Sequence, residues 1–406
     1  MKLIYFTASY PYGIGEQWKA NELNVFVHHF DDITVIPYSY AGNVDAPKSL
    51  PAGVKLKGPL LLKEGVLLRK KDILRILTHR KVFPFLKEFF SKKVYRSKTH
   101  VIAWMSATMN SIRLLRHPVI REVIEKGDRQ TVLSFFWGRG GCEFLPFIDT
   151  GRFHKVFVRM HRYDLFEHVN NGYMPYRNVL LQKISTAAPS SVAGLQHLQE
   201  LYPGFRDKIR LFRLGTLWNG QRCSPSADGV LRIVSCSYLS AVKRVNLMIE
   251  SLQYVDFQVQ WRHVGDGILR QELEELIKAK GVQDKFMIEG MIDTKGLLDY
   301  YTRQPFDLFV NVSSSEGIPM SIMEVLSLGI PVMATNVGGI GEIVHEGVGH
   351  LLSPDPTPRE IAGELIAFYH LTAQQRQEMR ERAHRECLAG WDVNKISEEV
   401  ADFLKS

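Results

Sequence analysis

The chain has 406 residues, of which 45% are hydrophobic and 23% charged, and its net charge is +8. This composition excludes a disordered chain or a collagen-like repeat and is typical of a globular protein with a sizeable core. At roughly 150 residues per domain, the length favours two large domains.

Cysteine spacing and hydropathy exclude several other classes of protein. The four cysteines stand far apart without a CxxC pair, so we expect neither a zinc site nor a disulfide framework. The first apolar run ends at Thr7 without a signal-peptide cleavage site, and no run approaches the roughly 18 apolar residues of a membrane span. These features predict a cytoplasmic protein.

The first half of the chain alternates short apolar runs with segments of helical length. The predicted elements are strands at 2–7, 33–38, 130–136 and 155–159 and a helix at about 16–29. A Pro/Gly loop at residues 10–15 separates the first strand from that helix. Alternation of this kind predicts a parallel sheet with helices on both faces.

The same rhythm restarts after a polar, proline-containing break at residues 221–229, which we interpret as a linker. The elements predicted after it are strands at 231–235, 257–264, 286–289, 308–311 and 331–334 and helices at about 243–252, 269–280 and 321–328. The predicted domains are 1–221 and 222–385, with a helical segment at 386–406 that folds back on the first domain. The predicted fold class is α/β, with two facing Rossmann-like domains whose strands end at a common cleft.

The most informative segment runs from 309 to 352 and contains Glu316 and Glu324. A strand, a Ser/Gly loop and a helix that begins near Pro319 are predicted here, so Glu316 lies in the loop and Glu324 on the helix. Carboxylates accept hydrogen bonds from sugar hydroxyls, and amides at a helix N-terminus bind phosphates. In isolation such a pair is more often a solvated loop acid and a helix N-terminal acid. The strand-loop-helix context instead favours a site for a nucleoside diphosphate sugar.

The segment SSSEGIPMSIMEVLSLGIPVMATNVGGIGEIV resembles the E-x7-E signature of retaining glycosyltransferases of family 4, which have the GT-B fold. Other segments resemble the same family in the same order: SYPYGIGEQW, RMHRYDLFE, RLGT, SYLSAVKRVNLMIESL, HVGDG and MIEGMID. The resemblance covers nearly the whole chain and is greatest to the branch that builds bacterial capsular, exopolysaccharide and lipopolysaccharide chains.

The resemblance implies roles for residues of the second domain. Glu324 would accept hydrogen bonds from the ribose, Glu316 would contact the donor sugar, and Lys243 would hold the diphosphate. Taken alone, Lys243 would be an exposed lysine at a helix start. The arginine expected six residues before it is Ser237 here, and Arg244 is expected to compensate in part. The other expected donor-binding residues are Gly317, Ile318, Pro319, Met320 and Ser321 at the helix N-terminus and Gly265, Met291 and Ile292 near the base.

The first domain is expected to supply the other cleft residues. The resemblance places His161 near the donor sugar and the acceptor, with Asp164 orienting it or binding acceptor hydroxyls. Gly13 and Gly15 would let the backbone approach the donor or the acceptor, although a plain tight turn explains them equally well.

No Asp-x-Asp motif is available to hold a divalent metal on the diphosphate, so we expect no metal and no other cofactor. The resemblance favours front-face attack, in which the departing diphosphate takes the proton of the acceptor. The predicted function is therefore a metal-independent, retaining glycosyltransferase with a nucleoside diphosphate sugar donor and a saccharide or lipid-linked acceptor. Two alternatives stay open: a catalytically silent nucleotide-sugar-binding subunit, to which Ser237 points, and another GT-B enzyme such as an epimerase or a phosphorylase.

Positive charge is concentrated between Lys55 and Lys98, where fourteen Lys and Arg residues stand against three acids, a local charge of +11. Apolar residues alternate with the cations over 60–77, which is compatible with an amphipathic helix on an anionic membrane. A solvated cationic helix is the alternative, and nucleic acid is a poorer partner because no binding module accompanies the charge. The sequence thus predicts a peripheral place on the inner face of the plasma membrane.

Overall fold

The computed structural model describes residues 1–13, 16, 18–40, 47, 50–62 and 70–406. The chain divides into two compact units, one of Met1–Arg213 with Ser397–Ser406 and the other of Leu214–Ile396. Sequence reasoning placed these divisions at residues 221 and 386. The difference arises because Thr216 pairs with the second unit, its amide lying 2.8 Å from the Trp391 carbonyl oxygen and its own carbonyl oxygen 3.1 Å from the Val393 amide.

The first unit contains a six-stranded parallel sheet in the order β4-β2-β1-β6-β7-β8 and a two-stranded parallel sheet of β3 and β5. Its strands are β1 Lys2–Thr7, β2 Asp32–Pro37, β3 Ser39–Tyr40, β4 Val54–Leu56, β5 Leu61–Leu62, β6 Thr131–Phe135, β7 Lys155–Met160 and β8 Thr186–Pro189. Its helices are α1 Lys19–Phe26, α2 Lys70–Leu77, α3 Val82–Ser91, α4 Lys98–Arg116, α5 Pro118–Lys126, α6 Arg162–Leu165, α7 Arg177–Lys183 and α8 Val192–Leu201.

The second unit contains another six-stranded parallel sheet, in the order β11-β10-β9-β12-β13-β14. Its strands are β9 Leu231–Cys236, β10 Val259–Val264, β11 Phe286–Gly290, β12 Leu308–Asn311, β13 Val332–Thr335 and β14 Gly349–Leu352. The helices that follow are α9 Val245–Ser251, α10 Arg270–Ala279, α11 Thr294–Arg303, α12 Met320–Ser327, α13 Pro358–Tyr369, α14 Ala373–Gly390 and α15 Val393–Lys405, which ends in the first unit.

Alternating side chains of the central strands build a separate apolar cluster on each face of this second sheet. Val234 and Phe309 pack on one face, whereas their neighbours Ile233 and Leu308 pack on the other. Because helices cover both faces, strands β9 and β12 read as nearly continuous apolar runs. The predicted α/β class, with a parallel sheet in each half of the chain, is confirmed.

Two predicted helices are shorter than their sequence patterns suggest. Helix α1 begins only at Lys19, because the Glu16 carboxylate accepts hydrogen bonds from the amides of Ser9 and Tyr10 and holds a turn there. The helix predicted at 243–252 is broken by Arg244, which has a φ of 50° and separates a short 3₁₀ turn from α9. Strands β8 and β14 were not predicted, because their sequences, TAAP and GHLL, lack the run of large apolar or β-branched residues that marks the other four-residue strands.

Among the described residues, no helix combines the length and the apolar content needed to cross a bilayer. Part of the predicted amphipathic segment, residues 63–69, lies outside the described residues. Its last residues form α2, which is followed by α3 and the longer α4.

Candidate functional site

Two loops at neighbouring strand ends of the second unit bring Lys243 and Glu316 together. Strands β9 and β12 are adjacent and parallel, so the loops after them share one edge of the sheet. The amide of Ser314 donates a hydrogen bond to the carbonyl of Val242 at 2.8 Å. Lys243 Nζ lies 2.5 Å from Glu316 Oε1. The predicted lysine and the first motif glutamate therefore form an ion pair at the carboxyl edge of the sheet.

The second motif glutamate, Glu324, lies on α12 and is only 7% exposed. Burial raises the pKa of Glu324 to about 7. Its main-chain carbonyl accepts a hydrogen bond from Ser327, but no group in the described part of the chain donates to its carboxylate. A buried carboxylate without donors is unfavourable, so this side chain is well suited to accept hydrogen bonds from the hydroxyls of a ligand.

The N-terminus of α12 follows Glu316 within four residues. The helix begins at Met320, and no described side chain caps it. The amides of Met320 and Ser321 have no partner within the helix, whereas that of Ile322 already donates to the Pro319 carbonyl at 3.2 Å. The helix dipole places positive potential at this end. Of the five predicted amide residues, Pro319 has no N–H to donate, so it shapes the turn without binding an anion.

A glycine-rich turn after β13 supports the Glu316 loop. The amide of Gly339 donates to the carbonyl of Gly317 at 2.9 Å. Gly338 has a φ of 58°, and a Cβ added to it would lie 1.9 Å from the carbonyl oxygen of Glu316. Only glycine allows this approach without displacement of the loop.

We expect Gly338→Ala to lower the unfolding temperature, because the added methyl group would collide with the Glu316 backbone at a left-handed φ. The matched control is Gly363→Ala on α13, where a Cβ has open space and alanine is expected to stabilise the helix by about 0.5–1 kcal/mol. Thermal unfolding of both variants checks the prediction. Equal unfolding temperatures for Gly338→Ala and the parent would contradict the prediction and show that the turn can move to accommodate the methyl group.

The guanidinium of Arg244 is bound to other loops. Its Nη1 donates to Asp355 Oδ1 at 2.6 Å. Its remaining partners are the backbone carbonyls of Val312, Ser313 and Pro354. Arg244 therefore fastens the loop after β9 to those after β12 and β14. Its role as a second cation for the diphosphate stays a prediction. To bind the diphosphate, the guanidinium would have to give up these contacts.

Gly265 brings the ends of β9 and β10 into close contact. Its φ is 151°, and a Cβ there would lie 1.9 Å from the carbonyl oxygen of Ser237. The same carbonyl accepts a hydrogen bond from His263 Nε2 at 3.2 Å, while His263 Nδ1 accepts one from Ser235 Oγ at 2.8 Å. Burial lowers the pKa of His263 to about 4, so this imidazole is a neutral structural bridge.

Exposed apolar side chains follow the ends of β9, β10 and β11. Met291 is 44% exposed, whereas Ile292 packs against the core. Tyr238 and Ile268 are 55% and 91% exposed. Sequence reasoning singled out Met291 and Ile292 but not Tyr238 or Ile268.

Cysteine and acidic side chains form no further reactive cluster in the described ranges. The four cysteines are unpaired, and burial raises the pKa of the Cys236 thiol to about 12. Within the described residues, no group of three or more His, Cys, Asp and Glu side chains is placed to hold a metal ion.

A cavity of about 350 Å³ opens in the first unit at the carboxyl ends of β1, β2, β6 and β7. Its volume is within the range of small-molecule sites. Five aromatic side chains dominate its lining: Phe6, Tyr38, Phe135, Trp137 and Tyr163. Arg139 contributes the main cationic group, lying 5.5 Å from the centroid of the Tyr163 ring and donating to Asn170 Oδ1 at 2.5 Å.

His161 lies beside this cavity, and both of its ring nitrogens are engaged. Nε2 donates to the carbonyl of Phe136 at 3.0 Å, and Nδ1 accepts from Ser190 Oγ at 3.2 Å. The ring stacks on Phe136 with centroids 4.6 Å apart. Burial, aided by the nearby charges of Arg159 and Lys19, lowers the pKa of His161 to about 3. The structure therefore holds a neutral imidazole, which is unsuited to donate a proton near neutral pH.

Asp164 joins the loops after β6 and β7. Its carboxylate accepts hydrogen bonds from the amides of His161, at 2.5 Å, and Gly138. Burial raises the pKa of Asp164 to about 6. Asp164 thus positions His161 through the main chain rather than through the imidazole. Of the two predicted loop glycines, Gly13 has a φ of 67°, and Gly15 lies outside the described residues.

Residues 222–386 match the family described as Glycosyl transferases group 1. These residues form a group 1 glycosyl transferase domain. The chain is 26% identical over 271 residues to WcaL of Escherichia coli K12, which is named for glycosyl transfer in colanic acid biosynthesis, and the match covers 62% of this chain and 64% of WcaL. The match to WcaL of Salmonella typhimurium covers 52% of that protein. The chain thus spans less than two thirds of the length of either relative.

Solved structures resemble the whole chain. Anabaena HepE in complex with UDP has a TM-score of 0.67 at 16% identity, over 100% of this chain and 99% of HepE. The lipopolysaccharide outer core galactosyltransferase WaaB has a TM-score of 0.68 at 14% identity, over 100% of both chains. These similarities confirm the GT-B fold.

Outside the glycosyl transferase domain, sequence reasoning missed a buried charge cluster. Glu16 pairs with the fully buried Lys19 and accepts from Trp137 Nε1 at 2.8 Å, and Arg159 Nη1 lies 2.6 Å from Glu22 Oε1. Although burial opposes it, pairing with Lys19 lowers the pKa of Glu16 to about 2. A sequence signal existed, because Lys19 and Glu22 share the apolar face of α1 at helical spacing.

Proposed function

We propose that the protein is a retaining glycosyltransferase that moves a sugar from a nucleoside diphosphate sugar to a saccharide or lipid-linked saccharide in cell-surface polysaccharide biosynthesis. The observation that carries the proposal is the Lys243–Glu316 pair beside the N-terminus of α12, with Glu324 buried on the same helix. This edge offers a cation and amides to phosphates, and carboxylates to hydroxyls. WcaL is named for colanic acid biosynthesis, which supports a polysaccharide pathway for the acceptor. HepE was solved in complex with UDP, which supports a nucleoside diphosphate sugar as the donor.

Each group in the second unit has a distinct role in the proposed donor complex. Lys243 binds the diphosphate and stabilises the negative charge that grows on the leaving group. Glu316 exchanges its ion pair for hydrogen bonds from the donor sugar, and Glu324 accepts hydrogen bonds from the ribose. The amides of Gly317 and its neighbours complete the phosphate site.

The base is proposed to lie against the ends of β9, β10 and β11. Gly265 lets the ends of β9 and β10 lie close together there, because a Cβ would collide with the Ser237 carbonyl. Backbone groups of Met291 and Ile292 would read the edge of the base, and the exposed Tyr238 and Ile268 offer apolar surface to its ring.

We propose front-face displacement for the chemical step. The acceptor oxygen bonds to the anomeric carbon on the face from which the diphosphate leaves, as the bond from that carbon to the phosphate oxygen breaks. The acceptor proton passes to the departing phosphate oxygen, so no protein base is needed. Glu316 is then a positioning residue for the sugar, in contrast to the paired carboxylates of glycoside hydrolases.

The aromatic cavity of the first unit is the proposed acceptor site. Flat aromatic faces pack against the apolar faces of sugar rings, and Arg139 offers hydrogen bonds to hydroxyls. His161 contributes a fixed, neutral ring, and Asp164 holds the loop that carries it. Gly13 and Gly15 are proposed to let the first loop approach the substrates.

Product formation from a panel of nucleoside diphosphate sugars tests the proposal. The full chain should form a product only with an acceptor, with the anomeric configuration of the donor retained in the proton NMR spectrum. Activity should persist in EDTA, because Lys243 and the helix amides are proposed to supply the charge stabilisation that a metal would otherwise give. Glu316→Gln should bind the donor but transfer little sugar.

Each rival gives a different result in the same assay. Donor binding without transfer or hydrolysis would indicate a silent binding subunit. Isomerisation without an acceptor would indicate an epimerase, and a requirement for inorganic phosphate a phosphorylase. A covalent glycosyl adduct on Glu316 of the parent protein, detected by mass spectrometry, would overturn front-face attack.

A further inference from the structure

Large apolar side chains are unusually exposed in one short part of the first unit. Seven of them between positions 73 and 102 are 49% to 81% exposed. They are Ile73, Leu74, Leu77, Phe83, Phe90, Tyr95 and Ile102. Exposure of single apolar residues is ordinary, but such a concentration indicates a surface that contacts something else.

Helix α3 shows that this exposure is built into the fold. Glu88 and the fully buried Phe85 fix its inner face. The Glu88 carboxylate accepts hydrogen bonds from the Tyr173 hydroxyl at 3.1 Å and from the Tyr176 amide at 3.0 Å. Phe83 and Phe90, seven residues apart, lie on its opposite, exposed face. A rotation of the helix that buried the two phenylalanines would expose Phe85 and break the Glu88 contacts, so the outer face stays apolar.

Cations surround this apolar face. Lys87 lies between Phe83 and Phe90 on the same exposed stripe of α3, and Lys92 and Lys93 are exposed just after the helix. The Phe90 and Tyr95 rings are 6.4 Å apart, which joins the end of α3 to the following turn. From 73 to 98 the sequence has eight Lys and Arg residues but only one acid, the buried Glu88.

We propose that the outer surface of α2, α3 and the turn through Tyr95 docks on an anionic lipid bilayer. Phe83 and Phe90 enter the boundary between headgroups and acyl chains, and Lys87, Lys92 and Lys93 contact anionic headgroups. Charge complementarity favours this occupant, because a second copy of the same surface would place like charges against each other. The docking does not depend on the proposed transfer reaction, but it would bring the first unit to lipid-linked acceptors.

Vesicle co-sedimentation of the full chain, without donor or acceptor, tests the docking. We compare vesicles of phosphatidylcholine alone with vesicles that also contain phosphatidylglycerol, at about one lipid in four. Binding should be at least about tenfold stronger on the anionic vesicles and should weaken as salt is raised from about 0.05 M to 0.5 M. Equal binding to both vesicle types, or no effect of salt, would overturn the proposal.

Two variants separate the apolar from the charged contribution. F83S/F90S and K87Q/K92Q/K93Q should each weaken binding to anionic vesicles about tenfold or more, and the second should also reduce the salt dependence. The matched controls are L201S, an exposed leucine at the end of α8 in the same unit, and K278Q, an exposed lysine on α10. The controls should bind as the parent does.

The replaced side chains are exposed, so the variants should unfold at the temperature of the parent. If F83S/F90S bound anionic vesicles as tightly as the parent does, the apolar face would not be part of the interface. A dimer of the parent in light scattering that F83S/F90S dissociates, with no vesicle binding by either protein, would assign the surface to self-association and overturn the proposal. Because no step measures sugar transfer, failure of the docking is distinguishable from failure of the transferase proposal.

Discussion

Lys243→Ala is expected to lower the turnover of sugar transfer by about a hundredfold to a thousandfold. The ammonium of Lys243 lies 2.5 Å from the Glu316 carboxylate, at the edge where the diphosphate is proposed to bind. Arg244, the nearest candidate to replace it, is held by Asp355 and by three backbone carbonyls. Negative charge on the leaving group would therefore lose its principal cation. Initial rates with saturating donor, measured by release of the nucleoside diphosphate, check the prediction.

The matched control is Lys278→Ala, an exposed lysine in the last turn of α10. It makes the same chemical change without touching the site, and it should leave turnover unchanged. Thermal unfolding separates loss of the cation from loss of the fold, because Lys243→Ala also leaves the Glu316 carboxylate without its partner. If the Lys243→Ala protein were folded and had the turnover of the parent, Lys243 would not be part of the phosphate site.

Donor affinity is expected to fall as the pH drops below about 7, by up to tenfold for each pH unit. Burial raises the pKa of Glu324 to about 7, so this side chain gains a proton over that range. Ribose hydroxyls need an ionised carboxylate to accept both of their hydrogen bonds, so protonation of Glu324 competes with binding. Calorimetric titration with a nucleoside diphosphate sugar from pH 8 to 5.5 measures the effect, and the phosphates of such a donor do not titrate in this window.

Glu324→Gln is the matched variant, since it keeps the shape of the side chain but cannot titrate. It should bind the donor more weakly at pH 8 and show almost no pH dependence. Binding by the parent at pH 6.5 should release a proton, which titration in buffers of different ionisation enthalpy detects. A parent with flat affinity from pH 8 to 5.5 would contradict the proposed role of Glu324.

The raised pKa of Glu324 also predicts how the stability of the folded protein depends on pH. The folded-state pKa of Glu324 lies above 4.5, the ordinary pKa of a glutamate carboxyl, so the folded protein binds the proton more tightly than the unfolded chain does. The stabilising contribution of Glu324 is therefore fully present below pH 4.5 and is lost as the pH rises through about 7. The unfolding temperature of Glu324→Gln relative to that of the parent should therefore be higher at pH 8 than at pH 5.

Local sequence patterns were sufficient for most strands and for the motif around Glu316. Strands β1, β9, β11 and β12 are each four to six residues of mainly apolar character, and their predicted limits agree with the structure to within one residue. Helix boundaries were less predictable. The turn at Glu16 depends on hydrogen bonds from Ser9 and from the distant Trp137, and the break at Arg244 accompanies its hydrogen bond to the loop after β12.

The exposed face of α3 shows the limit of the same approach. Its hydrophobic pattern alone would place Phe83 and Phe90 in a core as readily as Phe85. Contacts of Glu88 with Tyr173 and Tyr176, more than eighty residues away, decide which side faces inward. A sequence pattern gives the period of a helix, whereas its orientation follows from partners that are distant in the chain.

Residue order and local spacing were enough to predict the two parallel α/β sheets, the E-x7-E segment and the concentration of positive charge between residues 55 and 98. Three properties emerge only in the folded protein: Lys243 meets Glu316, Arg244 is bound to Asp355, and His161 is a neutral, fully engaged imidazole. These properties depend on burial and on contacts between loops that follow different strands. Such contacts exist only once the sheets have formed.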